Sequence, residues 1–403
     1  MIQLNEEQAK ARDTITAFLM DSNSIENCIV LQGTAGTGKS TIIKQVYQQY
    51  QDQIRLLKLV DNNVSGLQWV FTATTNKAVQ ALRNTADVSE VRTIQSFLSL
   101  VPNSYGLQTT NRTREHKDLI VVIDECSYVD YNLSNFIDTY LKGCKIIFMG
   151  DPTQLPPVGL NHSPVFYKGY PTVHLTKSVR QQHSPSIAEF CKKLQNFITT
   201  GMNFPQLQLT DEIVHVNADT FNSVIHQMNA ATSKILVNKN TSVNKYNSML
   251  FQAMNNRSLF SRGDTVINNH YIKGITTDEE VIITRDPVPL VEYDVKGHQY
   301  SVSASSGIYE VFVPEKPSAI KKTFKKFIQE GKYHHANKVK ERWADLRPNF
   351  ACTIHKSQGS TFDEVFIDLN DFKSTRDLKE LARLLYVAMS RAKYKVTLTG
   401  DIR

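Results

Sequence analysis

Gly33-Thr34-Ala35-Gly36-Thr37-Gly38-Lys39-Ser40, followed by Thr41, fits G-x-x-x-x-G-K-[ST] at every fixed position. A loop of this kind requires a buried strand before it and a helix behind it, so it constrains the fold more than any other stretch. Its glycines let backbone N–H groups turn inward and approach phosphate oxygens with no Cβ in the way. Lys39 is placed to meet the β- and γ-phosphates of a nucleotide, and the Ser40 hydroxyl to ligate Mg²⁺. The flanks agree. Cys28-Ile29-Val30-Leu31 reads as a buried strand, and Ile42, Ile43, Val46 and Tyr47 recur at helical spacing. A helix N-terminus therefore faces the anion.

Further apolar runs follow at intervals: Trp69 to Ala73, Leu119 to Ile123, and Lys145 to Met149. Near-continuous apolar strands alternating with helices predict an α/β fold with a parallel sheet covered on both faces. Ligands of such sheets gather at the carboxyl ends of the strands, where Asp124-Glu125 and the Gly150 to Val158 segment lie. Asp124 is the candidate Mg²⁺ carboxylate, and Glu125 the group that polarises the attacking water. Gln154, an uncharged donor and acceptor, is the candidate sensor of the terminal phosphate.

The chain has 403 residues, enough for two to four domains, and its 41 % hydrophobic and 21 % charged content is that of an ordinary globular protein. Five scattered cysteines show no C-x-x-C spacing, which excludes a zinc site or disulfide framework of the usual pattern. Cysteines in apolar strands point to a reducing, cytoplasmic compartment. The N-terminus does not read as a signal peptide, and no apolar run approaches the roughly 18 residues of a membrane span. A net charge of +7 permits a polyanionic partner without requiring one.

Taken together, the phosphate loop, Asp124-Glu125-x-Ser127 and Gly150-Asp151-x-x-Gln154-Leu155-Pro156-Pro157 resemble motifs I to III of superfamily 1 helicases. The likeness continues through the second half. Leu175 to Gln181 resembles motif IV, Thr353 to Gly359 motif V, and Leu385 to Lys393 motif VI. Order and spacing resemble the class B, RecD-like branch, most closely its compact phage Dda type. The resemblance implies two RecA-like parallel-sheet motor domains, with ATP and Mg²⁺ between them. The first spans residues 1–170, with an insertion at 98–117 that reads as a small hairpin, the duplex-splitting pin of that family; Tyr105 is its candidate tip. The second spans 171–265 and 350–403. Residues 266–349 form an inserted subdomain in which short alternating runs, broken at Asp286-Pro287 and Lys296-Gly297, read as a small β-barrel. A basic helical stretch from Ile320 to Trp343 follows, read first as a solvated face and second as a nucleic-acid track. The sequence ends soon after motif VI, and no fused nuclease or zinc module is expected.

By the same resemblance Arg180 and Arg391 are the arginines that reach the transferring phosphoryl group, structural ion pairs being the alternative. Gly359 joins the nucleotide site. Thr74, Thr75, Asn76, Thr93, Gln95, Thr353, His355 and Lys356 fall along the backbone of a single strand, with helix capping as the alternative role of the threonines. Thr74 and Gln95 replace a common proline and histidine of the family, and Thr34 a common proline of the loop. Gln8 has two accounts. It is the N3 residue of a capping box with Asn5, or an amide that reads the adenine edge.

These features imply an ATP-dependent DNA helicase, with 5′ to 3′ movement following from the class B likeness. Single-stranded and forked duplex DNA are the expected partners, with single-strand-binding and replication proteins beside them, and a monomer as the working unit. The alternatives are a translocase or RNA helicase that separates no DNA duplex, and a nucleotide-gated DNA-binding module.

Overall fold

The apolar runs become interior strands of two parallel sheets in the structure, a computed structural model that describes residues 4–21, 25–86, 90–103, 106–177 and 184–402. The first half contributes β1 (Cys28–Gly33), β2 (Gln68–Ala73), β3 (Val91–Thr93), β4 (Val101–Asn103), β5 (Gly106–Gln108), β6 (Lys117–Asp124), β7 (Gly143–Gly150) and β8 (Thr172–Leu175). Six of them form one sheet in the order β3-β2-β6-β7-β1-β8, with every neighbouring pair parallel. Ile120 to Asp124 are buried at five successive positions, so both faces of the sheet are covered. Helices Glu6–Met20, Lys39–Val60 and Asn76–Ala86 cover one face, and Tyr131–Tyr140 the other.

Register sets the site. Gln32 pairs with Gly150 and Ile123 with Phe148, so the phosphate loop, Asp124 and the segment after Gly150 leave the sheet at one edge. β4 and β5 stand apart as an antiparallel hairpin. Tyr105 lies outside the described residues, as do Ser178 to Gln181 of motif IV.

The second half adds β9 (Ile213–Val216) and β10 (Ser233–Val237). It continues with β11 (Thr265–Asn268), β12 (Glu279–Glu292), β13 (Val295–Ala304), β14 (Gly307–Pro314) and β15 (Leu346–Pro348), then β16 (Ala351–Thr353), β17 (Phe362–Asp368) and β18 (Ala392–Thr399). A second parallel sheet runs β16-β10-β17-β18-β9. Helices Pro185–Thr200 and Leu378–Met389 bury their apolar faces on one side of it, and Leu155 of the first half packs into the same core.

Between β10 and β16 the chain forms a five-stranded antiparallel sheet, β14-β13-β12-β11-β15. Its turns differ from those expected. Asp286-Pro287 does not end a strand: β12 runs through it, and the pairing with β13 shifts register between Ile283 and Val288. A proline is tolerated at such a bulge because the ladder is already interrupted there. The reversal falls instead at Tyr293 and Asp294, both left-handed (φ 50° and 63°), as a two-residue hairpin requires. Gly297 lies inside β13, where a Cβ would meet the Val313 carbonyl oxygen and come within 2.6 Å of the Phe312 ring. Its glycine serves a close approach, not a turn. The basic stretch is two helices, Ser318–Gln329 and Tyr333–Arg342, separated at Gly331, whose φ is 69°.

Candidate nucleotide and nucleic-acid site

The phosphate loop bends through Gly36 and Gly38, at φ 81° and 83°, and Gly38 caps the Lys39–Val60 helix. Lys39 Nζ donates to the carbonyls of Gly33 (2.7 Å) and Thr34 (3.2 Å), which folds the ammonium over the cradle. Thr37 closes the loop on itself, its hydroxyl donating to the Thr34 carbonyl at 3.0 Å. Gln8 serves both ends of its amide. Its oxygen accepts the Asn5 N–H (3.1 Å), completing the capping box, and its nitrogen donates to the Thr37 carbonyl (3.0 Å). Each end of the amide is thus engaged once within the protein, as in the capping account, which leaves one N–H and one lone pair beside the phosphate loop.

Asp124 ends β6 and is buried. Burial first, and the neighbouring Glu125 charge second, push its carboxyl well above the usual carboxylate range, while Lys39 pulls it down. A buried carboxylate beside one lysine and a serine hydroxyl is suited to share a cation with phosphates. Mg²⁺ binds through one or two carboxylates plus phosphate oxygens and needs no protein cage. Ser40 and Asp124 fit the ion, and the loop fits a nucleotide. Glu125 follows in the left-handed region at φ 52°, its N–H donating to Asp124 Oδ1 (2.8 Å). A non-glycine residue there costs on the order of 1–2 kcal/mol, strain of the kind stored where a side chain must be aimed.

The second half reaches across to these groups. Gln154 is 3 % exposed, and its side-chain oxygen accepts from Gln358 Nε2 at 2.9 Å. Tyr386 donates its hydroxyl to Asp151 Oδ2 (2.6 Å), and the same oxygen accepts the phosphate-loop N–H of Ala35 (3.1 Å). Burial, and then Asp151, hold the Tyr386 phenol far above its usual range, so it stays a donor. Arg383 donates to the carbonyls of Pro152 (2.6 Å) and Gln154 (2.5 Å). None of Gln358, Arg383 and Tyr386 stood out in the sequence. Tyr386 reads as one more apolar position of a helix, and the signal available was its place inside motif VI.

Arg391 is 1 % exposed and donates to the Val387 carbonyl (3.1 Å), the Ser360 carbonyl (3.3 Å) and the Ser390 hydroxyl (2.9 Å). Among the described residues these partners are all neutral, with no ion pair. Its charge acts on Tyr128, where burial first and Glu125 second raise the phenol and Arg391 lowers it. Arg180 lies outside the described residues. Gly359, at φ 79°, faces the backbone of Lys77 and Ala78 and so sits at the seam between the halves.

The residues assigned to a strand divide by hydrogen bonding. Thr75, Thr93 and Thr353 each accept a backbone N–H, from Ala78 (3.2 Å), Ser96 (3.1 Å) and Lys356 (3.3 Å). They are caps, as the alternative held, and a capping hydroxyl keeps its own O–H available for a phosphate. Thr74 differs: it is buried and donates that O–H to the Glu125 carbonyl at 2.9 Å, so its hydroxyl proton is engaged within the protein. Gln95 Nε2 donates weakly to the Thr74 carbonyl at 3.4 Å, and its buried oxygen has no partner among the described residues. Asn76 Nδ2 reaches the Thr277 carbonyl (3.3 Å), and Lys356 Nζ pairs with Asp278 (2.7 Å) and Asn269 (3.2 Å), so both touch the inserted subdomain. Burial pushes His355 below the usual imidazole range, toward a neutral ring, and its carbonyl accepts Tyr128 Oη at 3.3 Å.

Residues 3–217 match the AAA domain family, more than half of the sequence. The chain belongs to the AAA domain family. Residues 348–399 match the UvrD-like helicase C-terminal domain, and the two matches in this order are those of a superfamily 1 helicase. An uncharacterized protein, R530 of Acanthamoeba polyphaga mimivirus, is 23 % identical over 90 % of this chain and 93 % of its own length. The RecBCD enzyme subunit RecD of Buchnera aphidicola is 26 % identical over 38 % of this chain and 27 % of its own. Among solved structures, the Pif1 helicase of Candida albicans shares the fold at a TM-score of 0.57 and 17 % identity, covering all of this chain and 95 % of that one. The Pif1 helicase from Bacteroides in complex with ADP-AlF3 and single-stranded DNA follows at 0.52 and 18 %, covering all of this chain and 94 % of that one. Among the described residues no helix is long and apolar enough to cross a membrane.

Proposed function

We propose that the protein is an ATP-dependent DNA helicase that moves 5′ to 3′ along a single strand and separates duplex ahead of it. The observation that carries this reading is the seam. Motif VI, through Tyr386, touches the phosphate loop and Asp151, and motif V, through Gln358, touches Gln154. A phosphate loop alone implies nucleotide binding; a second domain in contact with the same loop is what converts hydrolysis into relative movement.

In this reading the loop amides and Lys39 bind the phosphates, and Ser40 and Asp124 would hold a Mg²⁺ ion, which would supply neutralisation of the phosphate charge. Glu125 accepts the proton of the attacking water, and Gln154 orients that water. Arg391, and Arg180 beside it, stabilise charge on the transferring group once the halves close, a contribution on the order of 10³–10⁵ in rate. Thr75, Thr93 and Thr353 donate to the strand's phosphates, contacts that are blind to base sequence. The hairpin of β4 and β5 is the element that meets the duplex. The 5′ to 3′ direction rests on the class B motif pattern, and support for a single-stranded or forked DNA substrate comes from the fold shared with Pif1 helicases. Single-strand-binding and replication proteins are proposed partners of a working monomer in the cytoplasm.

The test is ATP hydrolysis with and without single-stranded DNA at two salt concentrations, for wild type and Glu125→Gln, followed by unwinding of forks tailed on either strand. Stimulation by DNA that weakens with salt and vanishes in the variant is expected, with unwinding only from the 5′-tailed strand. Hydrolysis indifferent to DNA would sink the motor reading, and unwinding from a 3′ tail would reverse the polarity.

A further inference from the structure

Residues 316–342 hold eight lysines and one arginine against two glutamates. Their balance of +7 equals the formal charge of the whole chain, so the rest of the protein is neutral in sum. This segment is the helical hairpin of Ser318–Gln329 and Tyr333–Arg342. Its apolar face is firmly held. Ile320, Phe327, Ala336 and Val339 bury against Phe312 and Trp343, and Trp343 Nε1 donates to Glu292 Oε2 at 2.7 Å. On the rest of its surface Lys321, Lys322, Lys325 and Lys326 of the first helix and Lys338 and Lys340 of the second are all exposed. Lys332 pairs with Glu330 and Arg342 with Glu292, but those six have no ion-pair partner among the described residues.

A charged face that serves only solubility mixes both signs. A single-sign face on an otherwise neutral body concentrates potential in one place and draws a polyanion to it. Two further observations indicate which polyanion. A cavity of about 360 Å³ opens beside the hairpin, with the half-buried Phe324 in its lining, the buried Ile320 and Val339 behind it, and Lys321, Lys340, Asn269 and Asp345 around it. An aromatic side chain next to ammonium groups stacks a base and holds its phosphate, which a duplex with its bases stacked inside could not use. The rim residue Asn269 also accepts from Lys356 Nζ at 3.2 Å, so the cavity adjoins motif V and continues the strand path of the motor.

We propose that the helical hairpin of residues 318–342 is a second single-stranded nucleic-acid site, with the six lysines on successive phosphates and an unstacked base in the adjoining cavity. This rests on the reading of the protein as a single-strand motor. The site extends the grip of the motor onto the inserted subdomain.

The experiment uses the full chain with Lys321, Lys325, Lys338 and Lys340 changed together to Gln, beside a second variant with the same four changed to Arg. Binding of DNA strands of about 8 and about 25 nucleotides is followed against salt concentration, the shorter filling one site and the longer both. On the long strand the Gln variant is expected to lower the slope of log K against log salt by about 3, at about 0.7 for each phosphate released. The Arg variant keeps the wild-type slope. Binding of the short strand, and the hydrolysis it stimulates, stay unchanged in both. Equal slopes for the Gln variant and wild type on the long strand would overturn the site, as would an Arg variant that fails like the Gln variant. An effect confined to forks lengthened in their duplex arm would overturn the single-strand assignment. If wild type binds neither strand, the motor reading itself fails, an outcome distinct from loss of this site.

Discussion

The Tyr386 hydroxyl accepts from Ala35 N–H in the phosphate loop and donates to Asp151, joining two segments of one half through a residue of the other. While that oxygen holds the Ala35 amide, the amide is not aimed at a phosphate. Tyr386→Phe keeps the ring in its packing, takes the phenol oxygen away from the Ala35 amide and leaves the buried Asp151 without one donor. Losses of this kind are worth about 1–3 kcal/mol. Nucleotide affinity without DNA is therefore expected to hold or tighten, whereas DNA-stimulated hydrolysis falls about tenfold, within the range that such a loss allows. ATP titrations with and without a single strand measure both, and unchanged stimulation would remove the residue from the coupling. Residue by residue, the sequence was most legible where chemistry is local. Lys39, Asp124 and Glu125 lie at strand ends that apolar runs announce, and the Asn5–Gln8 capping box closes within one helical turn. Thr74 was not legible, because its hydroxyl bonds to the Glu125 carbonyl, 51 residues away. Tyr386 was hidden for the same reason: helical spacing reports which face is buried, not what a hydroxyl on that face meets.

Among elements, β1, β2, β6 and β7 were read to within two residues at their ends, since strands covered on both faces have continuous apolar runs, whereas the three- and four-residue strands β3, β8, β9 and β16 are too short to announce themselves. The antiparallel insertion was harder. Asp286-Pro287 carries a strong turn signature, yet β12 absorbs it in a shift of register, and the reversal is made by Tyr293-Asp294, a pair with no glycine. Cross-strand packing of Gly297 under Phe312 decides this, and that contact lies outside any local window. The hairpin of β4 and β5 is the element whose function is most separable. It pairs only with itself, outside both parallel sheets. Replacing residues 101–108 with a short Gly-Ser linker is expected to leave DNA-stimulated hydrolysis within about twofold, as surface changes outside the core usually do. Unwinding of a forked duplex is lost. A linker variant that still opens forks at the wild-type rate would show that another element divides the strands.

For the whole molecule, the nucleotide and the strand share one seam. Gln358 leaves motif V, where Thr353 caps a turn beside the strand path, and its amide nitrogen ends on Gln154 at the nucleotide. A ligand that closes the halves does so for both sites, because each is built from both halves, and linkage then requires that each ligand alter the other's affinity by one common factor. Such coupling is typically 1–3 kcal/mol, or roughly 5- to 150-fold. Affinity for a non-hydrolysable ATP analogue with and without a single strand, and for the strand with and without the analogue, should change by the same ratio. Gln358→Ala removes the contact to Gln154 and leaves the loop, Glu125 and the capping threonines in place. It is expected to bring both ratios down together, while affinity for either ligand alone moves little. A variant that lost affinity for one ligand but kept the ratio would make Gln358 part of a binding site rather than of the connection. Equal affinities in wild type with and without the other ligand would mean that the seam seen here transmits nothing.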